Sequence, residues 1–142
     1  MKNYNTDQTL CGTHGELWID DAEYEEVTGF KAELNLDFGD VDKAKSMAKH
    51  KKLVGYELKG EITMNKVTST IMKKVADNTK KGKATKCKIV SNLDDPDGLG
   101  NERIVIYDAL FEKAALADWQ TKQIGEEKIP FTATEWEILE SI

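Results

Sequence analysis

Two stretches of this chain, residues 26–37 and 53–65, alternate apolar and hydrophilic side chains with a period of two. In the first, Phe30, Ala32, Leu34 and Leu36 interleave with Lys31, Glu33, Asn35 and Asp37. In the second, Val54, Tyr56, Leu58, Ile62 and Met64 interleave with Glu57, Lys59, Glu61, Thr63 and Asn65. Successive strand residues point to opposite faces, so each stretch is expected as a strand with one apolar and one hydrophilic face. Both are about twice the usual ~5–6 residues. Such a pair must cover its apolar back and offers a broad charged front to water. The lysine-rich segment between them, 39–52, has little apolar content to fold on and is expected to be mobile.

The rest of the chain supplies the second layer. Residues 1–13 are polar without periodicity and are expected as a flexible arm. His14 and Gly15 open a short hairpin over 16–20 and 22–26, turning at Asp20 and Asp21. Gly29 interrupts the first long strand and suits a bulge. After residue 65 the period changes to about 3.6. Val67, Ile71 and Val75 mark one helix over 69–79, with Thr68 or Ser69 as N-cap, Gly82 beyond its end and the apolar face of the long pair to cover. Residues 84–93 and 102–114 are further strands, closed into a hairpin by the turn-formers Asp94 to Gly100. A last strand pair is expected over 113–121 and 124–134, with Gly125 at a bulge and Pro130 on an edge, and Trp136, Ile138 and Leu139 packing on the body. The fold class is therefore mainly β, a two-layer β-sandwich or barrel of long antiparallel strands with one flanking α-helix.

At 142 residues this reads as a single domain, 1–142. No apolar run reaches the ~20 residues that cross a bilayer, so no membrane insertion is expected, and the polar start does not read as a signal peptide. Cys11 and Cys87 are too few for a disulfide framework and read as free thiols of a cytosolically made protein. The net charge of −6 hides a division into blocks. Residues 1–42 carry 11 acids and 2 bases, 43–88 carry 14 bases and 3 acids, and 89–142 carry 12 acids and 4 bases. These blocks are either plain solvated surface or unlike faces that suit head-to-tail binding of copies. Specific nucleic-acid binding is disfavoured, because the only arginine, Arg103, lies outside the basic block.

Catalytic and cofactor patterns fail on inspection. Cys11 and His14 lack the second pair a structural zinc site requires. Asp94, Asp95 and Asp97 lack the spaced ligands and closing glutamate of a calcium loop. The segment Lys81 to Thr85 lacks the first glycine of a phosphate loop and follows a helix instead of preceding one. Glu57 and Glu61 lie on an open strand face, where nothing would drive their pKa values apart. The chain does not read as an enzyme, and no cofactor or metal is implied.

Several segments, in order and spacing, carry a resemblance over nearly the whole chain. They are Gly15-Glu16-Leu17-Trp18-Ile19-Asp20, Lys66-Val67-Thr68-Ser69, Leu93-Asp94-Asp95, the run from Gly100 to Asp108, and the run from Glu126 to Thr132. With these the chain resembles the tail tube proteins of contractile phage-like particles, the group found in defective prophages and R-type bacteriocins of Gram-positive bacteria, diffocin-like in kind. The resemblance implies hexameric rings stacked into a hollow tube, with sheath, baseplate and tail terminator proteins as partners. It further implies synthesis in the host bacterial cytoplasm and residence in a phage tail or tail-like particle. The polar strand faces then line the lumen through Lys31, Glu33, Asn35, Asp37, Glu57, Lys59, Glu61 and Thr63, a net negative wall past which DNA can transit without sticking. The charge blocks then suggest ring-to-ring contacts. One side is the loop, with Val41, Lys43, Lys45, Met47, Lys49, Lys51 and Lys52, and the other is the first hairpin, with Asp20, Asp21, Glu23, Glu25 and Glu26. The rival readings are a β-rich ligand- or peptide-binding module, for which the polar face lacks aromatic residues, and the tube protein of a secretion system.

Overall fold

The computed structural model describes residues 3–142; the first two residues of the expected arm lie outside the described ones. Eight strands run β1 Gly15–Ile19, β2 Ala22–Glu23, β3 Val27–Val41, β4 His50–Asn65, β5 Lys86–Leu93, β6 Glu102–Phe111, β7 Glu126–Ala133 and β8 Glu135–Glu140, with the helix α1 Thr70–Lys80 between β4 and β5. They form one antiparallel sheet in the order β2-β1-β5-β6-β7-β4-β3, with β8 added beside β6. The long pair found in the sequence is β3 and β4, joined in register from Val27 opposite Met64 to Val41 opposite His50. Both strands run further into the lysine-rich segment than alternation alone indicated, leaving only residues 42–49 as the turn. The bulge expected at Gly29 is present as a register shift between Val27 and Gly29.

The sheet folds over on itself around one core. Leu17, Ile19, Ile89 and Ile106 from one side meet Ile62, Met64, Ile129 and Phe131 from the other in a single buried cluster. Phe30 stacks on Phe131 with ring centroids 5.8 Å apart and planes 9° from parallel. The second edge of β6 is divided between two partners. Residues Arg103 to Tyr107 pair with β8, and Leu110 and Phe111 pair with β7. Asp108, between these segments, adopts φ 51°, a left-handed backbone that re-aims the strand where its partner changes.

Three expectations are corrected. The expected strand over 113–121 does not form; the final strand is β8, which takes the free length of β6. Pro130 is not on an edge, for Glu61 of β4 lies opposite it. Its carbonyl accepts the N–H of Glu112 at 3.1 Å on the other side, where β6 pairing has ended, so its missing N–H removes no bond to β4. The helix does not cover the outer apolar face of the long pair, where Leu34, Leu36 and Phe38 stay exposed. It inserts Ile71 and Val75 at the core margin, and its polar side chains reach the β1–β2 turn and β5. Ser69 holds the N-cap position without a side-chain capping bond, and Gly82 follows the end at φ +71°.

Candidate functional site

The candidate site is the two-faced hairpin of β3 and β4. Register puts the eight hydrophilic residues singled out in the sequence on one face: Lys31 opposite Glu61, Glu33 opposite Lys59, Asn35 opposite Glu57, with Asp37 and Thr63 facing Gly55 and Gly29. Four carboxylates stand there against two ammonium groups. Lys31 and Glu33 pair at 3.5 Å, and Lys59 and Glu57 at 3.4 Å, along their own strands. All four side chains are at least half exposed, so each pair is worth only ~0–1 kcal/mol and leaves the face wet and net negative.

The opposite face changes character along its length. Near the body, Ile62 and Met64 are buried, and Leu58 is 4% exposed. Leu34, directly opposite Leu58, is already 42% exposed, and Leu36 and Phe38 reach 50% and 54%. The core cluster beneath the hairpin ends near Leu58, and β7, its neighbour in the sheet, also pairs with β4 only from Leu58 to Asn65. Tyr56 is the last tie to the body. Its hydroxyl donates to the Thr134 carbonyl at 2.9 Å, and its ring meets Trp136 edge-on at 5.2 Å. Trp136 and Ile138 of β8 extend the same apolar margin, a contribution that the sequence placed only as a packed tail. Beyond this tie the outer edge of β3 and the 50–57 edge of β4 carry unpaired backbone groups.

The residues named for contacts between rings lie at the two ends of this hairpin. Lys43, Lys45, Met47 and Lys49 occupy the turn, where Val41 pairs with His50, Lys51 with Asp40 and Lys52 with Gly39. Glu23 and Glu25 are exposed beside the base. Asp20 and Asp21 form the β1–β2 turn at φ 50° and 67°. Asp20 is already engaged within the chain: it accepts Lys74 Nζ at 2.6 Å and the Lys88 N–H at 2.9 Å. Burial acts to raise its pKa, but these hydrogen bonds outweigh it and hold the carboxyl below its usual value. Hydrogen bonding to Asp20 raises Lys74 in turn. Lys74 Nζ also lies 3.4 Å from Cys87 Sγ, yet burial, aided by the Asp20 hydrogen bond, pushes that thiol up to about 11. A thiol so raised is a poor nucleophile, so this cluster pins helix to sheet instead of performing chemistry. Sequence spacing gave no signal for it. Among the described residues, no group of three or more His, Cys, Asp and Glu is placed to hold a metal ion.

A family profile described as phage tail tube protein matches residues 2–140. The phage-like element PBSX protein XkdM of Bacillus subtilis (strain 168) is 30% identical over 137 residues, covering 94% of this chain and 92% of that protein. A chain in the cryo-EM structure of the anti-feeding prophage cap, the AFP tube terminating cap, superposes with TM-score 0.74 at 11% identity, covering 99% of this chain and 97% of that one. A chain of the PVC sheath-tube complex, an extracellular contractile injection system in its extended state, superposes with TM-score 0.70 at 10% identity, covering 98% and 100% of the two chains.

Proposed function

This chain belongs to the phage tail tube protein family, a structural component of tails, and from that premise we propose that it closes into hexameric rings that stack as the inner tube of a contractile, phage-like particle. One observation carries this reading. The outer half of the hairpin has an apolar face about half exposed, an exposed polar face and two edges left unpaired by the described residues of its own subunit. Strand pairing between neighbouring copies removes the edges, and closure around a ring leaves no end exposed. The apolar half-face from Leu34 to Phe38 then lies against the neighbour's body, and the polar face from Lys31 to Glu61 turns to the lumen. A net negative, wet wall repels DNA and other anionic cargo, so transit is not slowed by adhesion. The turn 42–49, held in the free subunit only by its own local contacts, gains further protection on assembly. Sheath, baseplate and terminator proteins are the partners outside and at the ends. Made in a bacterial cytoplasm, the tube serves a phage tail or a headless particle of the R-type bacteriocin kind.

The test is microscopy of the concentrated protein combined with labelling. In a Cys11→Ser background, single cysteines at Glu33, Glu57 and Glu61 are labelled freely in the subunit. In assembled tubes a maleimide wider than the bore fails to reach them. Labelling that assembly leaves unchanged removes the lumen assignment, and a chain that stays monomeric at high concentration removes the tube reading.

A further inference from the structure

At the base of the hairpin, between the β1–β2 segment and the start of β3, lies an open pocket of about 290 Å³. Strands β1 and β3 approach each other here without pairing, so the pocket is a seam in the folded sheet. Leu17, Tyr24 and Val27 line it, and Glu16, Glu23 and Glu25 add three carboxylates. None of these three has an ion-pair partner among the described residues. At the other end of the same hairpin, the turn is held in a defined shape. The Ser46 N–H donates to the Lys43 carbonyl at 3.2 Å, Lys45 adopts φ 61°, and the Ser46 hydroxyl lies 3.0 Å from His50 Nε2. The turn thereby presents Met47, 104% exposed, between Lys45 and Lys49.

We propose that Met47 of one copy seats in the Leu17–Tyr24–Val27 pocket of a second copy, with Lys45 and Lys49 meeting Glu16, Glu23 and Glu25 around it. This rests on the tube reading and specifies the contact between successive rings. Methionine, unbranched and polarisable, fills irregular apolar pockets, and leaving it fully in water gains nothing for an isolated subunit. The charges at tip and pocket are complementary. The geometry also fixes the kind of assembly. Knob and hole sit at opposite ends of one stiff pair of strands, so the contact is heterologous and propagates by translation without closing. From Val27 to Val41, at ~3.3 Å per residue, the hairpin spans roughly 46 Å. That length sets the scale of the axial repeat, and any strand tilt shortens it.

The experiment compares wild type with four variants, in a Cys11→Ser background where thiols matter. Met47→Asp is expected to leave subunit folding and rings intact and to reduce stacked tubes at least ten-fold. Lys45→Glu with Lys49→Glu has the same effect, and adding Glu23→Lys with Glu25→Lys restores tubes. Met47→Cys with Glu23→Cys yields, on oxidation, a ladder of disulfide-linked copies; within one chain these positions lie too far apart to bridge. Normal tubes from Met47→Asp, no ladder, or loss of rings as well as tubes overturns the contact. Wild-type protein that forms neither rings nor tubes overturns the tube reading and this contact with it.

Discussion

The ring of Phe131 lies over the bare backbone of Gly60, its direct partner across β4 and β7, in the space a side chain at position 60 would occupy. A Cβ there would also collide with the carbonyl oxygen of Lys31 on the neighbouring strand. Ala32, the cross-strand partner of Gly60 in β3, is small as well, and Phe30 stacks on the Phe131 ring. A glycine, an alanine and two phenylalanines thus lock the hairpin to the body just before it leaves the second layer.

Removing the ring or filling its space should loosen this lock. Phe131→Ala is expected to cost ~3–5 kcal/mol, the usual range for emptying a buried phenylalanine site. Gly60→Ala should cost ~1–3 kcal/mol by overpacking. In the double variant the two losses should not add, because the ring that the new methyl group strikes is gone. Urea unfolding of the four proteins measures this, and strict additivity would mean that ring and glycine do not interact.

The Asp20–Lys74 pair gives a pH signature with a definite sign. Asp20 has a depressed folded pKa, so its contribution is full above the unfolded carboxylate value and is lost as pH falls through the folded one. Lys74 is raised, so its contribution is full below the unfolded amine value and is lost as pH rises through the folded one. Asp20→Asn keeps a residue that tolerates the left-handed backbone while removing the charge. It should destabilise the subunit at neutral pH by no more than ~1 kcal/mol, since both side chains are more than 40% exposed. The difference from wild type should vanish in acid. A penalty that persists unchanged at pH 2 would assign the effect to the turn instead of the charge.

The two thiols should separate cleanly. Cys11 is exposed, and hydrogen bonding to Thr13 holds its pKa below the usual thiol value. Cys87 is buried and raised to about 11. One equivalent of a thiol reagent is expected to react with the native subunit at pH 8, and Cys11→Ser should abolish it. Two fast equivalents in native protein would contradict the packing of α1 on β5.

The apolar outer half of the hairpin should matter to assembly and little to the subunit. Leu34→Ser with Leu36→Ser alters side chains 42% and 50% exposed. Each change should move subunit stability by about 0.5 kcal/mol or less. Sedimentation should show ring formation lost. Rings formed at the wild-type concentration would place the contact surface elsewhere.

Alternation at period two made β3 and β4 legible in sequence, because the face a strand residue takes depends only on its local backbone. The same holds for the Asp20-Asp21 turn, the Asp94 to Gly100 turn and the bulge at Gly29, where short-range conformational preference decides. Tertiary structure decided what those strands lie beside. Local patterning sees only its own strand, whereas Pro130 fits the sheet interior only because β6 pairing stops at Phe111. Trp136 and Ile138 form a strand only because the length of β6 that β7 does not pair is open to them. The exposure of Leu34 and Leu36 likewise follows from where the opposing core ends, a non-local fact that their own alternation does not contain. The sequence therefore determined a long hairpin with an apolar back, and tertiary structure decided that half of that back stays open, because the second layer is shorter than the strands it covers.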